Sequence, residues 1–252
     1  MFKSMISTLK TKAIMPVQIG GCSVEMKKVW EIAKEYNLIV VEDASQALFS
    51  KYLGKYAGTQ SEVGCFSMSV AKLVSSGQGG FAVTKNRELY EQMKLIRTHG
   101  VANVNAATPF TQMGFNFRST DLQAFLGIHQ LEKAQFVIET RNKNYQLYHS
   151  LIKSPFWSAP LSSEERYISN FAYPMISDKR TEITNKLIEA GVQTRPLICG
   201  SIGRQPFWVK NFGLCPKKNA DKVHDHGFYL PNNCEITEEE IKFICSLVED
   251  TQ

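Results

Sequence analysis

The stretch Leu38-Ile39-Val40-Val41-Glu42-Asp43 constrains this chain more than any other. Its first four residues are apolar and three of them are β-branched, the composition of a strand buried in a parallel sheet. Upstream, Lys12 to Val17 carries a second short buried-strand signal. Between the two, apolar and charged residues mix at helical spacing from Ser23, the expected N-cap, to about Tyr36, and Asn37 ends the run. Strand, helix and strand within about thirty residues predict a βαβ unit with a right-handed crossover. Asp43 then stands near the C-terminal end of its strand, and ligands of open α/β sheets bind outside those ends.

A second strand is expected at 63–69, and Lys72 follows it in a turn closed by Gly77, Gly79 and Gly80. A carboxylate and an amine, each at a strand mouth, suit an aromatic nitrogen cofactor that carries an aldehyde. The lysine can form a Schiff base with the aldehyde. The carboxylate can keep a pyridinium nitrogen protonated, which makes the ring an electron sink. Pyridoxal phosphate needs that pair.

Seven pieces of the chain, in order, carry a resemblance to a known family. They are Val41 to Ala47, Gly64-Cys65-Phe66-Ser67, Lys72, Gly77-Gln78-Gly79-Gly80, Arg97-Thr98-His99-Gly100, Gly114-Phe115-Asn116-Phe117-Arg118 and Gln130-Leu131-Glu132-Lys133. The run from Lys12 to about Arg141 resembles the large domain of the pyridoxal-phosphate-dependent nucleotide-sugar aminotransferases, the DegT/DnrJ/EryC1/StrS group. The resemblance implies an α/β fold of the type I pyridoxal-phosphate transferases, like that of aspartate aminotransferase. The chain would hold part of the large domain, with a mostly parallel sheet, over residues 1–150, and a small C-terminal α/β domain over 151–252. It implies Lys72 as the residue that holds the cofactor and then moves protons, Asp43 at the ring nitrogen, Gln46 at the phenolic oxygen and Ser67 at the phosphate. Asn116 would reach the phosphate of a partner subunit, so that the site requires a dimer. His99 is expected to position a loop rather than to act on substrate.

The second half continues the likeness. Residues 193–197, 203–207, 219–221 and 227–231 resemble a subgroup acting on nucleotide-linked 4-keto-6-deoxy sugars, in which Arg195 and Arg204 are candidates for the substrate phosphates or for interface pairing. Some members of that subgroup are 3-dehydratases with histidine in place of the lysine. Lys72 favours transamination here. An amino donor such as glutamate would leave its amine on the cofactor, and a nucleotide-linked keto sugar would accept it, yielding an amino sugar for a lipopolysaccharide, another polysaccharide or a glycoside.

Other expected elements are strands at 81–84, 171–176 and 192–195, and helices from Asn86 to about Arg97, from Thr120 or Ser119 toward Leu151 with a break near Phe136, from Asp178 to Ala190 with Gly191 as C′ residue, and from Thr237 to about Val248. Residues 47–61 read as a surface excursion, 99–115 as a long loop and most of 196–231 as loop-rich. Composition narrows the class: 43% hydrophobic and 21% charged residues suit a globular protein with a sizeable core. The net charge of +5 is spread without basic runs, which argues against nucleic acid as a partner. Six cysteines form no CxxC pair, and His224 and His226 lack a third neighbour, so no metal site and a reducing cytoplasm are expected. No stretch reaches the roughly eighteen apolar residues of a membrane span.

The family's large domain begins well upstream of Lys12. The phosphate-binding turn at a helix N-terminus, the aromatic residue that stacks on the cofactor and much of the sugar-nucleotide pocket are not found in residues 1–11. This supports a second reading beside the aminotransferase, a truncated, non-catalytic remnant or interaction subunit that pairs with a full-length paralogue; the second-half likeness supports a third, a dehydratase using the same cofactor.

Overall fold

A computed structural model describes residues 11–102, 109–153, 157–158 and 160–251. In chain order the elements are β1 (Ala13–Ile14), α1 (Met26–Tyr36), β2 (Ile39–Asp43), β3 (Lys51–Tyr52), β4 (Lys55–Tyr56), β5 (Val63–Ser67), β6 (Gly80–Val83), α2 (Arg87–Arg97), α3 (Asp121–Glu132), α4 (Ala134–Leu151), β7 (Trp157–Ser158), β8 (Arg166–Tyr167), β9 (Tyr173–Ile176), α5 (Arg180–Glu189), β10 (Arg195–Pro196), α6 (Pro206–Phe212), α7 (Lys218–His226), β11 (Gly227–Leu230) and α8 (Glu238–Glu249). They divide into two compact units, one of residues 1–135 with 162–169 and one of residues 136–161 with 170–252.

The first unit is built on a four-stranded sheet in the order β1-β2-β5-β6. β1, β2 and β5 run parallel, and β6 returns antiparallel beside β5. The βαβ unit expected from the sequence is present. Helix α1 turns Met26, Val29 and Ala33 toward Val40 and Leu38, the i, i+3, i+7 spacing of a helix that covers a sheet. Asn37 takes a left-handed φ of 52° and its N–H closes the helix on Ala33 and Lys34. The start of α1 differs from expectation. Ser23 does not cap it; its hydroxyl donates to the Val24 carbonyl. The buried Gln18 accepts the Val24 N–H at 2.7 Å, which holds this stretch outside the helix, and Glu25 takes the N-cap position without a side-chain bond. Strand β1 is also shorter than expected. Pro16 has no N–H, so the ladder breaks there, yet its carbonyl still accepts the Asp43 N–H at 3.0 Å.

β2 is buried on one face only. Val40 and Glu42 point inward, whereas Ile39 is 54% exposed. The apolar run had suggested burial on both faces. The excursion after residue 47 contains a hairpin, β3 and β4, and β3 also pairs antiparallel with β8 from the 162–169 segment.

The second unit has an antiparallel sheet in the order β10-β11-β9-β7. Its core joins Tyr145 and Tyr148 of α4, Tyr173 and Met175 of β9, Ile183 and Leu187 of α5, Phe228 and Leu230 of β11, and the inner face of α8. The Tyr148 and Tyr173 rings stack with centroids 5.0 Å apart. Burial pushes the Tyr148 hydroxyl's pKa far above its ordinary range. The strand expected at 192–195 is confined to Arg195–Pro196, and the stretch read as loop-rich holds α6, α7 and β11.

Candidate active site

Asp43 ends β2. Its backbone is pinned on both sides, by Pro16 O at 3.0 Å and Gln18 N at 2.9 Å, and its Oδ1 accepts the Ser45 N–H at 3.0 Å. This turn stops the carboxylate from swinging, and Asp43 borders a cavity. β5 lies next to β2 with Cys65 opposite Asp43, so Ser67, two residues on, also ends its strand on that side. Asp43 and Ser67 line one cavity of about 280 Å³ together with Met15, Glu42, Ser45, Cys65 and Phe66. The Phe66 ring stacks on Phe81 at 4.6 Å. A Cβ at Gly58 would run into the Phe66 ring, and one at Gly64 into the Gly58 carbonyl. Two glycines therefore let the loop before β5 lie directly against the floor of the site. Burial, and then the neighbouring Asp43 charge, raise the Cys65 thiol pKa, so this thiol stays protonated.

Lys72 is half-buried in a turn in which its N–H donates to Ser69 O at 3.0 Å. The loop around it is closed by Met68 N to Gly79 O at 2.8 Å, Ser76 N to Met68 O at 2.9 Å and Gly77 N to Ser75 Oγ at 3.0 Å. Ser67 Oγ accepts the Ser69 N–H at 3.4 Å, a serine turn that orients the hydroxyl. From α3, Gln123 reaches the same loop through Gln78 O at 2.7 Å. Gln46 lies half-buried with its Oε1 accepting the Gly20 N–H at 2.9 Å. Asn116 is exposed, bridges to Thr98 and accepts Arg118 Nε at 3.1 Å. His99 holds a left-handed φ of 58° in that loop and donates its N–H to Phe115 O. Lys72, Gln46 and Asn116 are not among the residues lining the cavity.

The two arginines belong to the second unit. Arg195 is exposed on β10, directly opposite Tyr229 on β11. Arg204 donates to both carboxylate oxygens of Asp225 at 2.8 Å, which raises the arginine pKa and holds the aspartate below its usual range.

Sequence reasoning missed Glu42 as an individual. It is wholly buried and accepts four hydrogen bonds: Gln18 Nε2 at 3.0 Å, Gly58 N at 2.7 Å, Gln60 N at 2.8 Å and Ser61 Oγ at 2.9 Å. Its place inside a charged pair after an apolar run is the only signal it left in the sequence.

Comparison with known proteins gives a consistent picture. The chain is 30% identical to GDP-perosamine synthase of Escherichia coli O157:H7 over 249 residues, covering 96% of this chain and 66% of the relative. It is 27% identical to GDP-4-keto-6-deoxy-D-mannose 3-dehydratase of Yersinia pseudotuberculosis, covering 96% and 67%. The solved structure of Helicobacter pylori PseC, an aminotransferase involved in the biosynthesis of pseudoaminic acid, superimposes with a TM-score of 0.90 at 29% identity, covering 98% of this chain and 68% of that one. The chain thus spans about two thirds of the length of the proteins it matches. Residues 3–249 match the family model, and the chain belongs to the DegT/DnrJ/EryC1/StrS aminotransferase family.

Proposed function

We propose that this chain is the cofactor-holding portion of a pyridoxal-phosphate-dependent aminotransferase that places an amino group on a nucleotide-linked keto sugar of the 4-keto-6-deoxy type. The observation that carries this reading is one cavity lined by the carboxylate that ends β2 and the hydroxyl that ends β5, with Lys72 on the loop that leaves β5. The residues suit the cofactor. A volume of about 280 Å³ lies at the lower edge of the roughly 300–1,000 Å³ typical of small-ligand pockets. Its lining offers a fixed carboxylate, hydroxyls and an aromatic wall.

When bound, the cofactor supplies an electron sink for the carbon that loses a proton. The rest falls to the chain. Asp43 Oδ2 would accept the ring N–H and keep that proton in place. Ser67 would donate to the phosphate, and Asn116 would serve the phosphate of a second copy. Lys72 would hold the aldehyde carbon and, once released, carry a proton on Nζ to and from the substrate. Gln46 would donate to the phenolic oxygen. Arg195 would neutralise a substrate phosphate, and Arg204 could join it only by leaving Asp225. The proposed setting is the cytoplasm, with an amino donor such as glutamate and a homodimer or a dimer with a full-length paralogue.

Adding pyridoxal phosphate to the purified protein should produce a visible absorption band. Borohydride should then fix the cofactor's mass on Lys72, and Lys72→Ala should abolish both. A protein that gives no band, or carries the mass elsewhere, contradicts the reading. A dehydratase is the second reading, favoured by the Yersinia relative. Product analysis with a 4-keto-6-deoxy sugar nucleotide separates loss of a hydroxyl from gain of an amine.

A further inference from the structure

Gln46 is held by a backbone partner distant in sequence. Its Oε1 accepts the Gly20 N–H at 2.9 Å. A carboxamide engaged through its oxygen offers a ligand its Nε2 protons. The Gly20 N–H stands there because Ile19–Gly21 make a tight turn in which Gly20 and Gly21 take φ values of 66° and 89°. That turn is clamped in its own right. The Ser50 hydroxyl donates to the Gly21 carbonyl at 2.5 Å. Ser50 Oγ accepts the Ser169 N–H at 3.1 Å and lies 2.7 Å from Ser169 Oγ. Both serines are 0% exposed, so these bonds do not compete with water. Glycine at 21 allows the approach, since a Cβ there would run into the Ser169 carbonyl.

We propose that Ser50, Ser169 and the Ile19–Gly21 turn form a positioning device that fixes the Gln46 carboxamide as a hydrogen-bond donor to the cofactor's phenolic oxygen. This rests on the assignment of Gln46 to that oxygen made above. A donor stabilises the phenolate most when the adjacent nitrogen of the Lys72 linkage has lost its proton. It therefore lowers the pH at which that proton leaves. A residue that served only stability would lower the melting temperature without moving this pH.

Two measurements test the device separately. In cofactor-free protein, exchange of the Gly20 N–H with solvent should accelerate about tenfold in Gln46→Ala and in Ser50→Ala, the effect of one lost hydrogen bond. In loaded protein, the pH midpoint of the visible band should rise by about one unit in Ser50→Ala, in the same direction as in Gln46→Ala. Should Ser50→Ala fail to fold, Ser169→Ala carries both readouts with the same sign. A midpoint that moves in Gln46→Ala but in neither serine variant overturns the proposal. A loaded protein without a visible band refutes the cofactor assignment instead. The exchange measurement then decides the clamp alone, and unchanged Gly20 exchange in the serine variants overturns it.

Discussion

Glu42 and Asp43 are neighbours with opposite tasks. Successive strand residues face opposite sides of a sheet, so the Glu42 carboxylate is buried in the protein and the half-buried Asp43 lies on the other face. Glu42 replaces its lost hydration with four donors, three of them from the segment at 58–61. It thereby ties the loop before β5 to the strand that carries Asp43. Glu42→Gln keeps the volume but turns one accepting oxygen into a donating NH2 group. Two of the four donors would then face a donor, at about 1–3 kcal/mol for each one left unsatisfied. We expect a loss of roughly 2–6 kcal/mol in urea unfolding. A loss below about 0.5 kcal/mol, the scatter of ordinary surface substitutions, would mean that the network holds nothing together. Asp43's position at a strand end was legible in the sequence because a strand end is a local event. Glu42's role was not, because its partners lie 16 to 24 residues away and only the folded chain shows them together.

The same divide between local and distant signals runs through the secondary structure. Asn86 and Thr237 each cap the helix that the sequence assigned to them, and of the two candidates Thr120 and Ser119 it is Thr120 that caps α3; Thr120 and Thr237 do so as capping boxes with Gln123 and Glu240. β3, β4 and β8 have two residues each, too few for an alternating pattern, and exist only because β3 pairs on both sides. β11 lay hidden after the charged, histidine-bearing α7. The cap of α8 yields a sharp prediction. Glu240 accepts the Thr237 N–H at 2.7 Å, and this backbone bond, followed by the bond to the Thr237 hydroxyl, lowers its pKa from the ordinary 4.5. A depressed folded-state pKa contributes stability above the unfolded value that is lost as pH falls through the folded one. The wild type should therefore melt above Glu240→Gln near pH 7, and the gap should close once the pH drops well below 4.5. Thr237→Ala removes the cap itself and should cost roughly 1 kcal/mol. A melting gap that is the same at pH 7 and pH 3 would rule out the charged cap.

At the scale of the molecule, α3 is the element that does not fit a free monomer. Its apolar residues run around the helix: Leu122 is 69% exposed, Phe125 58%, Ile128 60% and Leu131 56%, and only Gly127 is buried. A helix apolar on all sides belongs inside a protein or an assembly. The loop before it adds Phe115 and Phe117, stacked on each other at 4.8 Å and largely exposed. We read these exposed apolar residues as an interface. The interface would also touch the proposed chemistry, because Gln123 of α3 holds the Lys72 loop through Gln78 and Asn116 sits between the two phenylalanines. We expect sedimentation to show a dimer or a complex with a longer homologous chain. Replacing Phe125 and Leu131 with glutamate should dissociate it, since each change sets a charge into an apolar contact. If Asn116 serves the neighbouring copy, the dissociated variant should also hold pyridoxal phosphate more weakly while keeping its far-ultraviolet circular dichroism. A wild-type protein that sediments as a single chain, with its band intact, would show that α3 is content in water and that the site is complete within one copy.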